Sequence, residues 1–112
     1  MKGGMMFERG DIVLIPFPYS DLTSSKKRPA LIISNPNLKG EDKICCLITS
    51  NNPKNGILIS KNCFNEGNLP FKSWVKPHRI FTIDERIIIK KLVKIKNNFS
   101  KQIKEKINYF IK

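Results

Sequence analysis

The chain has 112 residues, 40% hydrophobic and 27% charged, with 21 lysines and arginines against 9 acids and a net charge of +12. That length supports one domain over 1–112 with a single core and excludes two. No apolar run approaches the roughly 20 residues of a membrane span, and the opening MKGGMMFERGD lacks the apolar core of a signal peptide, so the expected location is the cytoplasm with no membrane contact.

Gly10–Ser34 organises the rest: two apolar runs, Ile12–Phe17 and Ala30–Ser34, enclose a polar loop rich in serine and lysine that ends on Arg28-Pro29. Asp11–Phe17 reads as a strand, with Pro16 and Pro18 interrupting its ladder and pointing to a sheet edge. Long loops on rigid scaffolds often bind or catalyse. Pro29 holds Arg28 extended and fixes the direction in which the arginine leaves the loop, which suits a phosphate clamp as well as a plain solvated basic loop. Ala30–Ser34 is a second strand, ended by Asn35-Pro36-Asn37.

Lys43–Ser50 is a third strand whose end carries three hydrogen-bonding side chains in a row, Thr49, Ser50 and Asn51. Cys45 and Cys46 are neighbours on this strand and so point to opposite faces. With Cys63 the cysteines are odd in number, and neither a disulfide framework nor a metal site is expected. Asn52–Gly56 reads as a turn, Ile57–Ser60 as a short strand, and Lys61–Lys72, with its Gly, Pro and Asn, as a loop. Ser73–Phe81 is extended. Thr82-Ile83-Asp84-Glu85 resembles a capping box opening one helical turn, and Arg86–Ile95 fits strand or helix. From about Asn98 to Ile111 the apolar residues Phe99, Ile103, Ile107, Phe110 and Ile111 fall at helical spacing, so an amphipathic helix closes the chain. Five or six short strands and one helix imply a mainly β protein, a small, strongly bent sheet or barrel with the helix packed on it.

The residues Gly10-Asp11-Ile12-Val13, Pro16-Phe17-Pro18, Asp21, Lys27-Arg28-Pro29-Ala30-Leu31-Ile32-Ile33-Ser34, Ile48-Thr49-Ser50-Asn51, Ser73-Trp74-Val75 and Arg79-Ile80-Phe81-Thr82-Ile83-Asp84 together resemble the PemK/MazF toxins of type II toxin–antitoxin systems. The resemblance implies an SH3-like barrel with a C-terminal helix, a homodimer, and a metal-independent, ribosome-independent endoribonuclease acting on single-stranded RNA with no cofactor. It also implies an acidic antitoxin as partner, in keeping with the positive charge. By the same resemblance Arg28 and Thr49 form the active site.

RNA is cleaved when its 2′-hydroxyl attacks the adjacent phosphate, so an enzyme need only assist proton transfers and stabilise a charged pentacovalent state. The sequence has no dense Asp/Glu/His cluster for metals, which suits this route. Arg28 is expected to contact the scissile phosphate and Thr49 to donate to one of its oxygens. Lys26, Lys27, Ser50 and Asn51 are candidate RNA contacts. His78, the only histidine, is either a catalytic or RNA-contacting group near the site or an ordinary strand or loop residue. Asp21 is expected to order the loop, and Trp74 and Phe71 either stack on bases or fill a core or dimer interface. Two other readings stay open: a gyrase-poisoning toxin of the same barrel, like CcdB, which would be DNA-linked and non-catalytic, and an SH3-like module that holds nucleic acid without cutting it.

Overall fold

In the computed structural model, which describes residues 7–17 and 26–112, the β-branched run Asp11–Phe17 forms strand β1. It is followed by β2 (Lys26–Ile32), β3 (Asp42–Thr49), β4 (Ile57–Ile59), β5 (Phe64–Gly67), β6 (Ser73–Asp84), β7 (Lys90–Ile95) and helix α1 (Asn97–Ile111). All the pairings are antiparallel, and the strands lie in the order β4-β6-β3-β2-β1-β7-β5. The sheet curls into a half-barrel, and α1 packs along β6. The mainly β barrel with one C-terminal helix is thus the architecture adopted.

Alternation along the strands divides the buried residues between two faces of this sheet. Ile12, Leu31, Cys46, Ile48 and Val75 share one face with Phe99 and Ile103 of α1. Val13, Ile15, Ala30, Ile32 and Cys45 share the other, where Phe17 and Phe81 pack against them. The adjacent cysteines are both buried and unpaired, one in each cluster. Burial pushes both thiols up to about 12, so they act as small apolar residues.

Several local expectations change. β1 is an interior strand, not an edge: it lies between β2 and β7. Pro16 is tolerated because the β7 ladder reaches only to Leu14, so it stands where β1 has lost that neighbour, while Pro18 lies outside the described residues. β2 begins at Lys26, which places Arg28 inside a strand, paired with Ile15, instead of in the loop. The segment read as loop, Lys61–Lys72, contains a 3₁₀ turn over Lys61–Cys63 and the edge strand β5, which pairs with β7. Counting β5, the described residues hold seven strands where five or six were expected. The turn after β6 is a 3₁₀ turn over Glu85–Ile87 capped by Asp84, whose carboxylate accepts the Arg86 N–H at 2.8 Å; Thr82 plays no part in the cap. Beyond that turn the chain is extended as β7, which resolves the ambiguity of Arg86–Ile95.

Helix α1 keeps its expected stripe for only part of its length. Phe99 and Ile103 are buried and Ile107 is partly so, whereas Tyr109 and Ile111 are 63% and 72% exposed, because the last turn runs past the sheet. Charged groups fasten the strand ends. Asp11, buried, accepts the Glu8 N–H at 2.9 Å and lies 3.4 Å from Lys94 Nζ, which ties the chain before β1 to β7. Lys43 and Glu85 meet at 3.1 Å and join β3 to the 3₁₀ turn.

Candidate active site

Residues directly opposite in an antiparallel ladder place their side chains on the same face. The β2–β3 ladder ends at the pair Ala30 and Leu47, and by strand alternation Arg28 and Thr49, each two residues beyond that pair, stay on its face. β1 pairs Ile15 with Arg28, β6 pairs Trp74 with Thr49, and β4 pairs Leu58 with Trp74. The result is a transverse row, Leu58, Trp74, Thr49, Arg28 and Ile15, with one side chain from each of five neighbouring strands. It lies on the face away from α1, since Ile48, Val75, Ile57 and Ile59, which alternate with these residues, belong to the helix-side cluster. Arg28 and Thr49, expected together from the resemblance, do share one face.

The two polar side chains of the row have identifiable support. The Arg28 guanidinium lies over the Phe17 ring, 5.8 Å from its centroid, and Phe17 meets Phe81 edge-on at 6.2 Å. Such stacking holds a guanidinium in place while its N–H groups stay available to an anion. The Thr49 hydroxyl oxygen accepts the Asn51 N–H at 3.1 Å, a bond that leaves its own hydrogen available to donate outward. Lys76, opposite Leu47, is on the same face one step further along β6, and Lys26, opposite Phe17, extends the cationic strip on β2.

Electrostatics reinforce the arrangement because several acids are engaged elsewhere. Hydrogen bonds from Arg86 hold Asp84 down to about 2, and the Lys94 ammonium keeps Glu8 below the usual carboxylate range. Glu85 is bound to Lys43. Among the described residues no carboxylate forms a salt bridge with Arg28 or Lys76, so the row keeps its positive field.

The other candidates are distributed unevenly. Lys27 is exposed on β2, opposite Pro16, and Ser50 and Asn51 are exposed just beyond the end of β3. His78 is not beside the row: it sits in a bulge of β6, edge-on to Phe110 of α1 with the ring centroids 6.2 Å apart. Asp21 lies outside the described residues. Phe17 as the platform under Arg28, and Lys76 as a cation beside Thr49, were not singled out from the sequence. The first was findable in principle, because Phe17 continues the Val13, Ile15 alternation that faces Arg28; the second depended on the β6 register. No three His, Cys, Asp or Glu side chains come together as a metal cluster among the described residues.

A curled antiparallel half-barrel with one C-terminal helix, carrying an arginine and a threonine on the face away from that helix, defines a small basic β-barrel protein. The family model described as PemK-like, MazF-like toxin of type II toxin–antitoxin system matches residues 8–111, and the chain belongs to that family. Among solved structures it is similar to MazF from Deinococcus radiodurans, with a TM-score of 0.69 and 17% identity over 96% of this chain and 98% of that one. It is also similar to an endoribonuclease in complex with its cognate antitoxin from a mycobacterial species, with a TM-score of 0.65 and 16% identity over 90% of each chain. At these identities the likeness establishes a shared fold. A search of curated protein sequences found no match. No helix among the described residues is long and apolar enough to cross a membrane.

Proposed function

We propose that this toxin is a cytoplasmic endoribonuclease that cleaves single-stranded RNA without a metal, leaving 2′,3′-cyclic phosphate and 5′-hydroxyl ends. The observation that carries the reading is that Arg28 and Thr49 lie on the same face of neighbouring strands, just past the end of the β2–β3 ladder. In the reaction the substrate 2′-oxygen bonds to phosphorus, the bond from phosphorus to the 5′-oxygen breaks, and the 2′-hydroxyl proton is lost while the departing oxygen gains one. Charge accumulates on the non-bridging phosphate oxygens as this happens. Arg28 stabilises that charge with a bidentate pair of N–H donors, and Thr49 adds a hydroxyl hydrogen bond. An arginine side chain stays protonated in proteins, so Arg28 acts first as an electrostatic stabiliser and not as a general base.

Lys26, Lys27, Ser50 and Asn51 border the row and contact the strand on either side of the scissile phosphate. An acidic antitoxin fits the +12 chain and would compete with RNA for the same field. A homodimer would lengthen the cationic surface. The mycobacterial neighbour, an endoribonuclease solved with its cognate antitoxin, is in keeping with this pairing.

The decisive experiment is incubation of the purified protein with a messenger RNA in EDTA. Discrete fragments with 2′,3′-cyclic phosphate and 5′-hydroxyl ends are expected. Intact RNA together with inhibited DNA supercoiling would replace the nuclease by a gyrase poison, and tight binding without cleavage would leave a nucleic-acid-holding module.

A further inference from the structure

Trp74 belongs to neither buried cluster, although both residues beside it, Ser73 and Val75, are buried. Its ring is on the open face, directly opposite Thr49 on one side and the 42% exposed Leu58 on the other. The ring's base is confined: a Cβ added at Gly56 would come within 3.3 Å of the Trp74 Cβ, so the turn before β4 presses against the tryptophan stem. Lys72 Nζ lies 5.8 Å from the ring centroid, and Lys76 is two residues along on the same face. A partly exposed indole set against the Gly56 turn and flanked by two lysines, next to a hydroxyl that can meet a phosphate, has the composition of a single-strand binding platform: the π-face takes a base while the ammonium groups take the backbone.

We propose that Trp74 is a base-stacking subsite of the active face, holding a nucleobase next to the phosphate engaged by Arg28 and Thr49, with Lys72 and Lys76 binding the flanking phosphates. The proposal rests on the single-stranded RNA reading and adds to it a specific contact and ligand class. Stacking is tolerant of base identity, so Trp74 supplies affinity and register. Trp74 is the only tryptophan in the chain, which makes its fluorescence a direct report on what covers the ring.

The test uses the full-length protein and an oligonucleotide that cannot be cleaved, with 2′-O-methyl groups at every position. Saturable quenching of the tryptophan emission is expected with this strand, and little with an abasic oligomer of equal length and charge. Trp74→Ala should weaken binding about 5- to 100-fold, the range for losing one stacked base. It should raise KM for a cleavable RNA while leaving single-turnover cleavage at saturation within a few-fold, and Trp74→Phe should recover most of the affinity. Circular dichroism of both variants establishes that the sheet is retained. Equal quenching by the abasic oligomer, or unchanged affinity in Trp74→Ala, overturns the subsite even if the wild-type protein cleaves RNA. Emission that changes with protein concentration alone, and not with RNA, would assign the ring to a contact between copies and also overturn it. A wild-type protein that quenches on the modified strand but cuts no RNA would leave the platform standing and remove the nuclease.

Discussion

The two faces of this sheet are made from the same strands and differ in what covers them. On one, α1 seals Ile12, Leu31, Cys46, Ile48 and Val75 under Phe99 and Ile103, and the cluster is apolar. On the other, among the described residues, Phe7, Phe17, Phe81 and Ile88 pack against a second apolar cluster, and the same side of the sheet carries Arg28, Thr49, Trp74 and Lys76. A strand alternates sides whatever its neighbours do, so with the helix packed on one face, the positions of the other that lie outside its own buried cluster are free of core packing. Those released positions are where this chain places its cations and hydroxyl.

Given that division, substitutions on the two faces should fail in different ways. The largest effect is expected from Arg28→Ala on the open face: cleavage should fall about 10³-fold or more, as when a transition-state donor is lost, with the melting temperature nearly unchanged. Single-turnover cleavage and thermal denaturation measured side by side would check it, and near-normal turnover would remove Arg28 from the reaction. Ile103→Ala on the sealed face should do the reverse, costing about 2–5 kcal/mol in urea unfolding while the folded fraction keeps its rate per molecule. Gly67→Ala sharpens the comparison at the rim. Gly67 has φ +88°, and an added Cβ would collide with the Leu92 carbonyl, so β5 should pull away from β7 at a cost of about 1–3 kcal/mol. Faster amide exchange in β5 and β7, with the Arg28 row still protected, is the expected pattern.

The smallest effect concerns acid. Arg86 holds the Asp84 carboxylate down to about 2, below its unfolded value near 4, so its contribution is present above about pH 4 and is lost as pH falls toward 2. Both partners are solvent-exposed, so the change in melting temperature should be slight. Asp84→Asn should flatten that acid limb in a melting-temperature series against pH, and an unchanged slope would show that the pair adds nothing measurable.

Much of the architecture was readable from pattern. β1 was legible with its bounds, as was α1 to within a residue, because a run of β-branched residues and a 3.6-residue period are strong local signals. The start of β2 was not. Lys26-Lys27-Arg28-Pro29 has the composition of a turn, and only pairing with Ile15, Pro16 and Phe17 extends it. β5 was invisible for a similar reason: Phe64-Asn65-Glu66-Gly67 has little intrinsic strand preference and gains its ladder from β7. Of the candidate site, Arg28 and Thr49 were expected together from the family resemblance. That the two share a face of neighbouring strands, with His78 kept apart against Phe110, depends on pairings between distant segments that no local window contains.

The bulge in β6 acts well beyond its own residues. Between Cys46 and Leu47 the partner jumps from Ile80 to Lys76, and Pro77, His78 and Arg79 are passed over. That detour is a phase slip: before it, even-numbered residues such as Trp74 and Lys76 look outward toward solvent, and after it odd-numbered ones such as Phe81 and Ile83 occupy that side. One long strand therefore behaves as two short ones, each free to accept substitutions without turning the other inside out. Removing a single residue from the detour would invert one half against the other, whereas exchanging residues within it would leave both halves in step.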